Sequence, residues 1–186
     1  KMSRMPIMPM ASEMQSDSGY LTAVLWLLSF IVQTFPFIFY TSLWTYPGAW
    51  ARLCGSHDPC KTMGDVAHMF KALQLVGFLS VANWDFPPWF CFVLLAGGQF
   101  LNAKVYQLIG STGVYYGVRF GKHVPWISAF PYSVMRDPQY IGCMLTTVAI
   151  MWNTPTVHCV FLLIGYVYLM WLESEERTPR YINKLR

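Results

Sequence analysis

PQYIGCMLTTVAIMWNTPTVHCVFLLIGYVYLMWL, Pro138 to Leu172, runs for 35 residues without an Asp, Glu, Lys or Arg. One helical crossing of a bilayer takes about 20 apolar residues. The run is too long for one crossing, so it predicts two helices. Asn153, Thr154 and Pro155 supply the break, because Asn and Pro form turns and Pro cannot continue a helix. The expectation is a helix-turn-helix membrane hairpin with arms at 139–152 and 155–172. Its ends return to one side, which brings Arg136 and Asp137 at its mouth towards the charged cluster Glu173–Arg177.

The rest of the chain fits the same setting. Hydrophobic residues make up 55% of 186 and charged residues 12%, with a mean hydropathy of +0.37, against about 25% charged in a soluble domain. No Lys/Arg run or basic face of the kind that binds nucleic acid is present. The net charge of +4 reads as loops facing anionic lipid headgroups. The chain starts at Lys1, which reads as a fragment or a processed terminus, the latter hinting at import into an organelle such as a mitochondrion or plastid.

Between Asp17 and Arg52 there is no charge, and a span is expected at 21–44, kinked at Pro36. A second span is expected at 66–84, with Lys71 snorkelling to the interface. Asp85, Pro87 and Pro88 form a tight break before a third span at 88–110. The predicted fold is therefore all-α: a single polytopic membrane domain, 1–186, of three spans and a C-terminal hairpin. The basic tail and the 111–138 loop place those segments in the cytosol or its organellar equivalent. Trp44, Trp84, Trp89, Trp126 and Trp171 read as an interfacial aromatic belt.

Few residues stand out as chemical. Glu173, Glu175 and Glu176 end a helix whose C-terminus already carries partial negative charge, so cationic partners are expected nearby. Ala96, Gly97 and Gly98 lie inside a span, where small residues suit close helix packing or a flat ligand. Gly110, Gly113, Gly117 and Gly121 give a helix-compatible small face, and no strand surrounds them to make a Rossmann fingerprint. Cys54 and Cys60 flank His57 without a second Cys or His pair, so no metal is expected. Cys91, Cys143 and Cys159 read as small apolar residues, His68 and His158 as packing or interfacial groups. His123 lies in the basic loop.

Ala96-Gly97-Gly98, then GSTGVYYGVRFG, then RDPQYIG, then a Glu-Glu pair form an ordered set over residues 94–184. This order resembles the integral-membrane methyltransferases, most closely the phosphatidylethanolamine/phospholipid N-methyltransferases and more distantly the isoprenylcysteine carboxyl methyltransferases. The resemblance implies a methyl donor, S-adenosylmethionine, and a phospholipid substrate in an endoplasmic reticulum, endomembrane or organelle bilayer. It assigns donor binding to Ala96, Gly97, Gly98, Arg136, Tyr140, Gly142, Glu175 and Glu176, with Glu173 substituting if the register slips. Asp137, His123 or a glutamate would take the amine proton, and Arg119, Lys122 or His123 would meet the phosphate. Ala96 stands where the family motif has glycine, and Asp137 where the wider superfamily has histidine. Two other readings share these residues: a non-catalytic subunit packed in a membrane protein complex, and a methyltransferase acting on isoprenylated cysteine or another lipid.

Overall fold

Proline and aspartate set several helix starts. Asp58 accepts a hydrogen bond from the Cys60 amide at 2.9 Å, and Pro59 follows in the first turn, where its missing N–H costs nothing. Pro47 and Pro138 open helices in the same way. The computed structural model describes residues 10–174, of which residues from 19 onwards have described side chains. The order is α1 (Met10–Thr45), α2 (Pro47–Cys54), α3 (Pro59–Val81), α4 (Trp89–Val114), a 3₁₀ turn (Gly117–Phe120), α5 (Pro138–Ile150) and α6 (Thr156–Glu173). Among the described residues all regular structure is helical.

Two segments, Gly19–Thr45 and Thr156–Glu173, are long and apolar enough to cross a membrane. The bundle carries some polar groups inside and much apolar surface outside. Ser29, Gln33 and His158 are buried, while Leu21, Leu28, Ile38, Val76 and Ile164 are exposed. Exposed apolar area on that scale marks a surface that meets lipid or another protein.

Pro36 lies within α1. Two sequence expectations shift. α3 begins at Pro59 rather than near residue 66, because the Asp58 cap and not the first apolar residue fixes its start. The glycine run does not form one helical face: Gly110 has φ +64° and interrupts α4, and Gly121 has φ +74°, conformations that glycine adopts without a side-chain penalty. The break between α5 and α6 falls at 151–155, as the Asn-Thr-Pro signal predicts.

α1 lies along α3 and reaches α6, and α4 lies along α5, whereas α3 meets α4 only lightly. The α1–α3 contact is polar at its centre: Gly77 sits against Ser29 and Gln33, and the Gln33 amide donates to the Gln74 carbonyl at 3.3 Å. At one end of the bundle the α3–α4 loop is tied to the α5–α6 turn. The Asn153 side chain donates to Asp85 O at 2.7 Å, Asn83 Oδ1 at 3.1 Å and Asn83 O at 3.2 Å. The Asn83 amide returns a bond to Asn153 O at 2.8 Å. At the other end Leu43, Trp44, Met63, Val114, Tyr115 and Tyr116 pack into a core under the 3₁₀ turn.

Candidate functional site

α5 and α6 lean against each other, so the first turn of α5 lies beside the last turn of α6. Tyr140 donates its phenol hydrogen to the Glu173 carboxylate. Tyr116, next to the 3₁₀ turn, donates to the same oxygen at 2.5 Å. Tyr116 has φ +56°, an uncommon conformation for a bulky residue and one found at functional and turn positions. Tyr40 of α1 meets the Tyr116 ring at 6.1 Å between centroids, and Tyr166 of α6 meets Tyr140 at 6.3 Å. A carboxylate thus lies among aromatic rings drawn from four parts of the chain, an environment suited to a cation.

Asp137 precedes α5 and is buried, and its carboxylate does not cap the helix. Arg136 and His123 are exposed. Glu175 and Glu176 lie outside the described residues.

The small-residue motif meets RDPQYIG in the middle of the bundle. Gly98 of α4 faces Gly142 of α5 so closely that a Cβ at Gly98 would lie 2.6 Å from Gly142 O and 2.6 Å from Thr146 Oγ1. A Cβ at Gly142 would lie 2.7 Å from Gly98 O. Two matched glycines therefore let the α4 and α5 backbones touch, the small-residue packing used between membrane helices. Gln99 Nε2 donates to Thr146 Oγ1 at 3.0 Å, and Thr146 Oγ1 donates to Gly142 O at 2.9 Å. Gly97 faces open space and Ala96 is exposed.

Beside this crossing is a cleft of about 280 Å³ between α3, α4 and α5, with His68, Lys71, Gln99, Asn102, Tyr106 and Gln139 among its walls. None of these six was singled out from sequence as a ligand contact. The available signal was their helical spacing: His68 and Lys71 share a face of α3, and Gln99, Asn102 and Tyr106 share a face of α4. Cys143, read as an apolar filler, also lines the cleft and lies 3.9 Å from Asn102 Oδ1.

Two cations expected at the phosphate are engaged elsewhere. Arg119 donates to Trp44 O and stacks on the Trp44 ring at 4.6 Å. Trp44 is accordingly buried rather than part of a belt, whereas Trp84, Trp89, Trp126 and Trp171 are exposed. Lys122 pairs with Asp58. The hydrogen bond from Lys122 holds the Asp58 carboxyl below its ordinary range, and the same bond raises the Lys122 ammonium. His158 is buried between Trp26 and Phe30, at 4.8 and 5.5 Å between ring centroids, a packing position as expected.

Comparison with known proteins gives two matches. Residues 87–182 match the model of the phospholipid methyltransferase family. Over 152 residues the chain is 47% identical to phosphatidyl-N-methylethanolamine N-methyltransferase of Arabidopsis thaliana, covering 81% of this chain and 93% of that protein. No solved structure matches the chain significantly.

Proposed function

Because the chain belongs to the phospholipid methyltransferase family, we propose that it methylates the amine of phosphatidylethanolamine or of its methylated derivatives, with S-adenosylmethionine as methyl donor. It is a phospholipid N-methyltransferase, and family membership decides for an enzyme over an accessory subunit. The relative's name points to the monomethylated lipid as one substrate. The observation that carries the reading is the convergence on Glu173: Tyr140 from RDPQYIG and Tyr116 from the glycine-rich segment both bond the acid that ends the hairpin.

These residues suit the donor. A carboxylate oriented by phenols and edged by aromatic rings can hold a sulfonium or ammonium cation. Glu173, with Glu175 and Glu176, would take the positive ends, and Arg136 the donor carboxylate. Ala96, Gly97 and Gly142 would shape the pocket, with Gly98 setting the depth at which α4 meets α5. When bound, the donor supplies an electrophilic methyl group. Transfer is an in-line displacement, so the chain's task is to align the reactants and exclude water. Asp137, buried at the mouth of α5, is the favoured base for the amine proton, with His123 as the exposed alternative.

In the bilayer, the chain is one membrane domain, with α1, α3 and α4 as spans and α5–α6 as a hairpin, in an endomembrane or organelle. The test is binding of S-adenosylmethionine and S-adenosylhomocysteine by calorimetry in detergent, followed by radiolabelled methyl transfer into extracted lipid. Saturable donor binding and label in the amine headgroup are expected. No binding across a wide concentration range, or label absent from lipid, refutes the reading.

A further inference from the structure

We propose that the cleft between α3, α4 and α5 holds the nucleoside half of the methyl donor, with His68, Gln99 and Asn102 recognising its base and ribose. This rests on the donor reading above and concerns the half of the donor that the Glu173 site does not address. α3 and α4 run antiparallel across the short 82–88 connection, so residues equally far from it lie at one level. Lys71 thus comes level with Gln99, and His68 with Asn102, and all four line the cleft.

The hydrogen bonds already made fix what these side chains offer. His68 Nδ1 meets Gly64 O at 2.7 Å; a carbonyl can only accept, so Nδ1 carries the hydrogen and Nε2 is left as an acceptor. The Gln99 amide nitrogen is given to Thr146, which leaves Gln99 Oε1. Asn102 Oδ1 faces the Cys143 thiol, which leaves Asn102 Nδ2 as a donor. The cleft thus offers both acceptors and donors, with Tyr106 in its wall. Amide side chains pair with the amino group and ring nitrogens of adenine, and aromatic rings stack on bases. A phosphate is held best by several charged donors, and the cleft has one lysine, Lys71.

The cleft is also placed for a ligand that arrives from water. Lys61, Asp65, His68 and Lys71 recur at helical spacing along one face of α3, and all four are exposed. The stripe starts beside the solvent-exposed Asp58–Lys122 pair and ends at Lys71, about 18 Å along the helix from Pro59. Beyond it the same face turns apolar at Leu75 and Leu79. With α3 as a span, the cleft floor lies near mid-bilayer, where ionisable side chains mark a water-filled inlet. A lipid anchored by its acyl chains keeps its headgroup at the surface; a soluble donor can descend the stripe.

The inlet ends against the Glu173 site. Gln139 lines the cleft and its neighbour Tyr140 bonds Glu173. Tyr106 lines the cleft and bonds the Tyr115 hydroxyl, and the next residue, Tyr116, bonds Glu173. The volume of about 280 Å³ falls just below the range of about 300–1,000 Å³ usual for whole small-molecule ligands, as suits half of one.

The test uses the full chain in nanodiscs with S-adenosylhomocysteine, with its 8-azidoadenosyl form, and with 5′-methylthioadenosine, which keeps the nucleoside and lacks the charged amino-acid end. By calorimetry, Asn102→Leu and His68→Phe should each weaken S-adenosylhomocysteine and methylthioadenosine alike, on the order of tenfold. Glu173→Gln should weaken S-adenosylhomocysteine far more than methylthioadenosine. Photolabel on the wild-type protein, which depends on no variant folding, is expected within 68–71 or 99–106 and should be competed by methylthioadenosine. Full affinity for both ligands in the two cleft variants, or label confined to α1, α2 or α6, overturns the cleft assignment and leaves the donor reading standing. Failure of the wild type to bind either S-adenosylmethionine or S-adenosylhomocysteine refutes the donor reading, and the cleft assignment with it.

Discussion

Replacing Gly98 by alanine, with Gly97→Ala as its partner experiment, tests how α4 is seated on α5. Both substitutions add one methyl group within the same helix, and both gain the helix propensity of alanine over glycine, up to about 1 kcal/mol. They differ in what that methyl meets. At Gly97 nothing lies within 4 Å. At Gly98 it would lie 2.6 Å from Gly142 O, a backbone atom that cannot rotate away, where ordinary contact begins at 3.4 Å. The helices must separate by the difference, about 0.8 Å, and a gap of that size forfeits a quarter to a half of the dispersion well for the atoms it parts. Overpacking of this kind costs about 1–3 kcal/mol. Since the propensity gain cancels between the two variants, Gly98→Ala should be less stable than Gly97→Ala by that amount. The thermal transition of detergent-solubilised protein should fall by about 2–4 °C per kcal/mol at this chain length. Lipid methylation should fall with it, because Gly142 lies half a turn from Tyr140, which α5 presents to Glu173. Equal melting temperatures and equal activities in the two variants would refute the reasoning.

Three further outcomes follow from the site and its supports. Glu173→Gln removes the charge that Tyr140 and Tyr116 orient and should weaken donor binding at least tenfold by calorimetry; Tyr140→Phe should give a smaller loss. The Asp58–Lys122 pair has the Asp58 pKa lowered and the Lys122 pKa raised. Its contribution is therefore full above the ordinary carboxylate pKa of about 3.9 and below the ordinary lysine pKa of about 10.4. It is lost as pH falls through the Asp58 value or rises through the Lys122 value. Melting temperatures of wild type and Lys122→Gln should therefore differ by a constant amount between about pH 5 and 9 and converge at lower pH. Asn153→Ala deletes the three side-chain bonds to Asn83 and Asp85 and should cost about 1 kcal/mol or more, read as a lower melting temperature.

Local chemistry made the helix boundaries readable in sequence. Pro138 and the Asn153-Thr154-Pro155 break fall where a missing N–H and a turn require them. The start of α3 escaped a reading based on hydropathy, although Asp58 and Pro59 carried the cap signal. The glycines from Gly110 to Gly121 were not a helical face, since backbone torsions such as the φ of +64° at Gly110, rather than spacing, decide their use. Trp44 could not be separated from the exposed tryptophans, because its burial depends on Arg119, 75 residues away in sequence. The site divides in the same way. The hairpin predicted that residue 173 would return to the start of α5. The cleft stayed hidden because its walls come from three helices, and only their antiparallel register brings Lys71 beside Gln99.

The bond set around Asn83 and Asn153 has a mechanical meaning. α1 and α3 form one leaf of the molecule, α4 and α5 the other, and α6 packs against both. The Asn83–Asn153 set ties the leaves at one end; the core under the 3₁₀ turn, with the Arg119–Trp44 bond and the Lys122–Asp58 pair, ties them at the other. Between those ends, on the side of the α3–α4 seam, the leaves touch lightly, so their separation there resembles the bowing of two slats fixed at their tips. The fastening at the Asn83–Asn153 tip contains no ion, so ionic strength leaves that tip shut.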